Sequence, residues 1–185
     1  MTIDKALLTA EDLYTLPDPP NGGHHELLDG ELVTMAAAGW RHGRIMVRVA
    51  RLLADHVEPR ELGVVACGDV GVIIRRNPDR VRAPDVCFIA QSRLPAASEE
   101  AQFLSIVPDL VVEIVSPDDR KREVVTKARE WARAGVRLVL TLDPGTRTVT
   151  AYRGEGDVRM YTVGDALDLA PVLPDFRVAV AELFV

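Results

Sequence analysis

Glu113 interrupts Leu110-Val111-Val112-Glu113-Ile114-Val115, a run otherwise apolar enough for a strand covered on both faces. An ionised carboxylate left unpaired in such surroundings is costly, so the group must be protonated, ion-paired or bound to a metal. Asp85 stands in a comparable place, in Pro84-Asp85-Val86-Cys87-Phe88-Ile89, near the beginning of a second apolar strand. There a side chain either projects at the end of a sheet or serves as an ordinary turn residue. Two acids on separate apolar strands suit a hard divalent cation, which takes oxygen ligands.

Lys127 adds a positive charge. On a 3.6-residue helix it falls beside the apolar stripe of Val124, Ala128, Trp131 and Gly135, whereas Arg122, Thr126, Arg129 and Arg133 map to the opposite, solvated side. Next to a metal site a lysine positions an attacking water and stabilises charge developing on a phosphoryl group. The plainer alternative is a salt bridge to Glu113 or Asp85.

Other reactive residues fit worse. His24-His25-Glu26 and His42 suggest a transition-metal site, but no pair of histidines has the i, i+4 spacing of a metalloprotease helix, which leaves them as solvated or supporting groups. Val115-Ser116-Pro117 lacks the glycines of a nucleophile elbow. No glycine-rich loop follows a strand in the manner of a nucleotide-binding fingerprint. Cys67 and Cys87 each lie in an apolar run without zinc or redox spacing, and read as two buried, reduced thiols.

The elements that must position these residues can be read along the chain. Thr9 to Tyr14 is a short capped helix, followed by a turn-rich connector from Pro17 to Gly23. His25 to Leu28 and Glu31 to Met35 flank Asp29-Gly30, the signal for a tight hairpin at a sheet edge. From about Trp40 to Val57, Ile45, Val49, Leu52, Leu53 and His56 recur at helical spacing, with Arg41, Arg44, Arg48 and Arg51 elsewhere around the helix. Strands are expected at Gly63 to Ala66, Val70 to Ile74 and Pro84 to Ala90, with a turn at Asn77-Pro78-Asp79 and a polar loop after Ala90. Ser116-Pro117-Asp118-Asp119 predicts a helix from an N-cap serine to about Ala134, just before Gly135. With strands Leu110 to Val115 and Arg137 to Leu142, this makes a βαβ unit at the centre of the sheet. Thr148 to Tyr152 and Arg159 to Val163 predict a closing hairpin, and the apolar stretch Val178 to Val185 packs either on its own core or on a partner.

The whole is an α/β (α+β) chain. Its 185 residues suit one domain, 1–185, with 1–23 as an N-terminal helix and connector, and 48% hydrophobic and 27% charged residues are an ordinary soluble balance. No segment spans a membrane and the N-terminus lacks a secretory pattern, which reads as a cytoplasmic protein. The net charge of −6 speaks against a module that holds nucleic acid by phosphate neutralisation alone. It leaves room for an enzyme whose acidic site carries a bound cation, because the ion reverses the local field.

Taken in order, His25-Glu26-Leu27-Leu28-Asp29-Gly30-Glu31-Leu32, His42-Gly43-Arg44, Arg82-Ala83-Pro84-Asp85-Val86, Pro108 through Pro117, and Lys127 with Trp131, Gly135-Val136 and Asp143-Pro144 resemble the PD-(D/E)XK nuclease superfamily. Within it they resemble the Uma-two family of restriction endonucleases, over nearly the whole chain. The resemblance implies a restriction-endonuclease-like fold with a central mixed β-sheet flanked by helices and with N- and C-terminal β-hairpins. It implies Mg2+ (or Mn2+) held by Asp85 and Glu113, a contribution from Glu26, DNA as substrate and a homodimer. Val115 stands two residues after the glutamate, where the superfamily usually has its lysine; the resembled family tends to place a lysine on the following helix, as Lys127 is here. Asp109, although it precedes Glu113 on the same strand, is set aside for Asp85 because the two carboxylates must converge from neighbouring strands.

Three functions remain open on the sequence: hydrolysis of DNA phosphodiesters, a nuclease-fold interaction or nucleic-acid-binding module without useful catalysis, and a metal-dependent hydrolase of small phosphate esters.

Overall fold

The computed structural model describes residues 6–20, 22–94, 103–117, 119–154, 156–170 and 172–184. Its chain contacts divide it into two compact units interleaved along the sequence. The first comprises Met1–Ala37, Asp69–Ala83 and Pro95–Val107, the second Ala38–Gly68, Pro84–Leu94 and Pro108–Val185.

In the first unit, helix α1 (Ala10–Thr15) is held by a capping box in which Thr9 and Asp12 satisfy each other's backbone N–H groups. Strands β1 (His24–Leu28) and β2 (Glu31–Met35) pair antiparallel through Asp29-Gly30. Both turn residues have positive φ, 58° and 79°, the primed-turn geometry that Asp-Gly favours. Two further strands, β4 (Val72–Arg75) and β5 (Arg80–Arg82), complete a sheet of order β2-β1-β5-β4, so the predicted hairpin does lie at an edge. Ala10, Leu13, Leu27 and Val81 form this unit's buried cluster.

The second unit begins with α2 (Trp40–Val57), whose bounds match the periodicity and whose buried side is Ile45, Val49, Leu53 and Val57. Strands β3 (Gly63–Cys67), β6 (Val86–Ala90), β7 (Leu110–Ile114), β8 (Leu138–Asp143), β9 (Thr148–Arg153) and β10 (Asp157–Tyr161) form a mixed six-stranded sheet of order β10-β9-β8-β7-β6-β3. Strands β7 and β8 run parallel at its middle, joined by α3 (Lys121–Arg133), which is the expected βαβ unit. The β9–β10 hairpin closes one edge. A small sheet of β11 (Ala166–Asp168) and β12 (Arg177–Ala179) and a final short helix follow. Val178, Val180 and Leu183 join the core formed by α2 and alternate residues of the large sheet, so the C-terminal apolar stretch packs on its own chain. No helix among the described residues is long and apolar enough to cross a membrane.

Three expectations need correction. Helix α3 starts at Lys121 with Arg120 as N-cap, four residues later than Ser116-Pro117 implies. Here the Ser116 N–H donates to the Asp119 carboxylate at 2.8 Å and the Asp119 N–H to the Ser116 carbonyl, so the would-be capping box closes a separate turn. Cys67, expected to be buried, is exposed at the end of β3, an edge strand; Cys87 is buried, and burial pushes its thiol up to about 12. Strands β5, β11 and β12 were not expected; each has three residues, too few to show a period of two. Most of the predicted polar loop after Ala90, residues 95–102, lies outside the described residues.

Candidate active site

The second unit brings Asp85, Glu113, Lys127 and His42 together. Strands β6 and β7 are antiparallel with Val86 opposite Val112. Continuing the register by one residue sets Asp85 opposite Glu113, about 5 Å apart at the α-carbons and on one face of the sheet. Glu113 shares that face with Val111, while Leu110, Val112 and Ile114 point into the α2-side core. Asp109 lies four residues away at the other end of β7, roughly 13 Å along the strand. It is fully engaged there, accepting from the Ala90 N–H at 2.9 Å and pairing with Arg93 at 2.7 Å and Arg137 at 3.6 Å.

Each carboxylate is held by its surroundings. The Asp85 Oδ2 accepts the Ile114 N–H at 2.6 Å and lies 3.3 Å from His42 Nε2, so the strand next door and the first turn of α2 both fix it. Glu113 Oε1 accepts the Trp131 indole N–H at 2.7 Å, and Oε2 lies 2.9 Å from Lys127 Nζ. Lys127 and Trp131 are four apart on α3 and so reach the same spot. The sequence presents Trp131 as an apolar stripe residue and as one of the resembling positions, without a role in the site; its i+4 spacing from Lys127 is the available signal for that role. The Ile114 amide was beyond sequence reasoning, since any residue there offers an N–H.

Glu26 belongs to the first unit. It is fully buried, accepts the Ala83 N–H at 3.0 Å and pairs with Arg82 at 2.6 Å, and His24 lies 3.7 Å from it. Ala83 is two residues before Asp85 in sequence.

Burial pushes the Glu113 carboxyl up to about 7; the Asp85 charge pushes the same way and the Lys127 ammonium pulls against both. The hydrogen bond to Asp85 raises the His42 imidazole above its usual 6.5, more than burial lowers it. His42 Nδ1 is buried with no protein partner.

These shifts have a consequence for stability. Between the ordinary carboxyl value of 4.5 and about 7, native Glu113 keeps a proton that the unfolded chain has released. This contribution is present below 4.5 and is lost as pH rises through 7. His42 has the same sign above 6.5, because its native form stays protonated where the unfolded form does not. The expected result is that metal-free protein melts at a lower temperature as pH is raised from 5 towards 8, with a shallower decline in Glu113→Gln. Parallel curves for the two proteins in a pH series of thermal melts would rule out a raised Glu113.

The donor chemistry fits a hard divalent cation. Asp85 and Glu113 supply oxygens from facing backbone positions, and their mutual repulsion and the burial of Glu113 are what a cation offsets. Among the described residues no group of three or more His, Cys, Asp or Glu is arranged to hold an ion.

The mixed sheet with its helices, hairpins and central βαβ unit defines a restriction-endonuclease-like fold. The structure resembles that of a "putative nuclease belonging to DUF820" from Anabaena variabilis ATCC 29413 with a TM-score of 0.80, at 19% identity over 96% of this chain and 97% of that one. The chain belongs to the Uma2 family, described as "Putative restriction endonuclease", whose model matches residues 10–181. No curated protein matches it.

Proposed function

We propose that this member of a nuclease family is a divalent-metal-dependent endonuclease that hydrolyses DNA phosphodiester bonds. The observation that carries the reading is that Asp85, bonded to the Ile114 N–H at 2.6 Å, stands next to Glu113 across the β6–β7 register, with the Lys127 ammonium 2.9 Å from Glu113. Asp85 and Glu113 would hold Mg2+ or Mn2+. When bound, such an ion polarises the phosphoryl oxygen and lowers the pKa of a water.

The chain's own residues do the rest. Ile114 N–H and His42 keep Asp85 in one orientation. The Trp131 indole holds one oxygen of Glu113, which leaves the other to Lys127. Lys127 steadies the attacking water and offsets the negative charge that grows on the phosphorane oxygens, the task of the strand lysine that Val115 replaces. Glu26 is proposed as a further ligand or orienter. Its support is its complete burial as a carboxylate and its grip on the Ala83 amide, close in sequence to Asp85.

The test is a calorimetric titration of Mg2+ and Mn2+ into wild type and Lys127→Ala, with nicking of supercoiled plasmid measured on the same samples. Wild type is expected to bind an ion saturably and to nick only with it. Lys127→Ala is expected to bind the ion and to nick roughly 100- to 1,000-fold more slowly, the usual loss of a charge-stabilising donor. A wild type that binds no ion would sink the metallonuclease, and full activity in Lys127→Ala would remove the lysine from the mechanism.

A further inference from the structure

The first turn of α2 carries a residue that neither the core nor the carboxylate site uses. Trp40 is 81% exposed, while the chain's other tryptophan, Trp131, is fully buried. The four residues before it, Ala36-Ala37-Ala38-Gly39, carry nothing larger than a methyl group, and no ring or cation contacts its indole among the described residues. An indole kept in water on a helix face is an expensive choice unless something flat covers it.

The charge around it says what. From Trp40 to Ala54 the helix carries Arg41, Arg44, Arg48 and Arg51 and no acid, in a chain whose net charge is −6. Arg41 donates to the Pro144 carbonyl, Arg48 to the Glu182 carbonyl at 3.0 Å, and Arg51 pairs with Asp55 at 3.5 Å. Arg44, one turn beyond Trp40, has no ion pair among the described residues and is exposed. His42, in the same turn as Trp40, reaches Asp85. An open aromatic face, a free guanidinium and the carboxylate site thus share one end of one helix. A polyanion with flat bases matches this surface, and an apolar protein partner does not.

We propose that Trp40 is a stacking platform for an unpaired base of a nucleic-acid strand, with Arg44 on a neighbouring phosphate. In an intact duplex the bases cover one another's faces and offer only their edges, so an indole can stack only on a base that is unpaired or turned out. This rests on the nuclease reading and narrows its substrate class to strands with single-stranded character beside the cut.

Trp131 is buried but touches Glu113, so the part of a change in tryptophan emission that is lost in Trp40→Ala is the part that reports Trp40. A short oligothymidylate, added in EDTA so that it stays intact, is expected to quench the emission saturably. Trp40→Ala is expected to weaken oligothymidylate binding by roughly 5- to 150-fold, the equivalent of about 1–3 kcal/mol for one stacked base. Trp40→Phe should retain most of the affinity, and a blunt duplex of equal length should lose less than about threefold in either variant, since phosphate contacts dominate there. Unchanged emission, or equal oligothymidylate affinity in wild type and Trp40→Ala, overturns the proposal. Plasmid nicking is scored separately: stacking without nicking supports this surface and removes the nuclease reading, whereas nicking without stacking removes this inference alone.

Discussion

Replacing Asp85 by asparagine and Glu113 by glutamine together is expected to abolish saturable Mg2+ and Mn2+ binding and to slow plasmid nicking by roughly a thousandfold or more. The amides keep the shape of both side chains and an acceptor oxygen for the Ile114 N–H and the Trp131 indole, so the scaffold stays in place. What disappears is two negative charges. Ion-assisted stabilisation of a phosphoryl transition state amounts to several kcal/mol, and each 1.4 kcal/mol is about a factor of ten in rate. Stability should move the other way: the burial and repulsion that push the Glu113 carboxyl up to about 7 both act on its charged form, and the glutamine is free of them. The double variant should therefore melt no lower than metal-free wild type near pH 8. Ion binding and nicking at wild-type levels in this variant would place the catalytic ion elsewhere in the chain.

Trp131→Ala carries the largest expected cost in stability. The side chain is completely buried on α3 and is the largest of the fully buried side chains, so its removal empties volume that a rigid sheet cannot close. Core truncations of this size cost about 3–5 kcal/mol. The loss of the donor to Glu113 Oε1 adds about 1–3 kcal/mol, because a buried acceptor is left unmade. Trp131→Phe separates the two effects: it fills most of the volume but lacks the N–H, so its destabilisation reports the hydrogen bond. Urea unfolding followed by circular dichroism measures both. If Trp131→Phe unfolds at the same urea concentration as wild type, the indole bond contributes nothing and Glu113 is positioned by Lys127 alone.

Sequence patterns were legible in this chain where they were long or chemically unusual. The eighteen residues of α2 show their period over five turns, and their bounds emerged intact. Asp29-Gly30 marked its hairpin because few other pairs take two positive φ angles in succession. The central βαβ unit followed from two apolar runs on either side of one amphipathic helix. What failed was short or competed locally. The start of α3 was misplaced because Ser116 and Asp119 satisfy each other in a turn that a helix cap would also satisfy. Strand β5 is recognised only by its partners, since Leu27 faces Val81 from far along the chain. In the candidate site, Asp85 and Glu113 stood out because acids are rare in apolar strands, and Lys127 because it sits beside the apolar stripe of its helix. The exposed Trp40 and the backbone amide that holds Asp85 depend on three-dimensional placement, and composition or spacing carries no mark of either.

The interleaving of the two units has a consequence for how the molecule is made. The β1–β2 hairpin is synthesised early, but its inner neighbour β5 emerges only after all of α2 and β3 have left the ribosome. Until then β1 presents an unsatisfied edge, and closing the sheet joins residues more than fifty positions apart, a slow step by its loop entropy. The second unit likewise waits for Pro84–Leu94 to return before β3 and β7 can be bridged by β6. Neither unit is a contiguous stretch of chain, so neither can be cut out as a gene fragment. A truncation that ends anywhere before β8 leaves both the parallel pair and its helix crossover unfinished, and nascent chains of that length are the ones a chaperone would have to shelter.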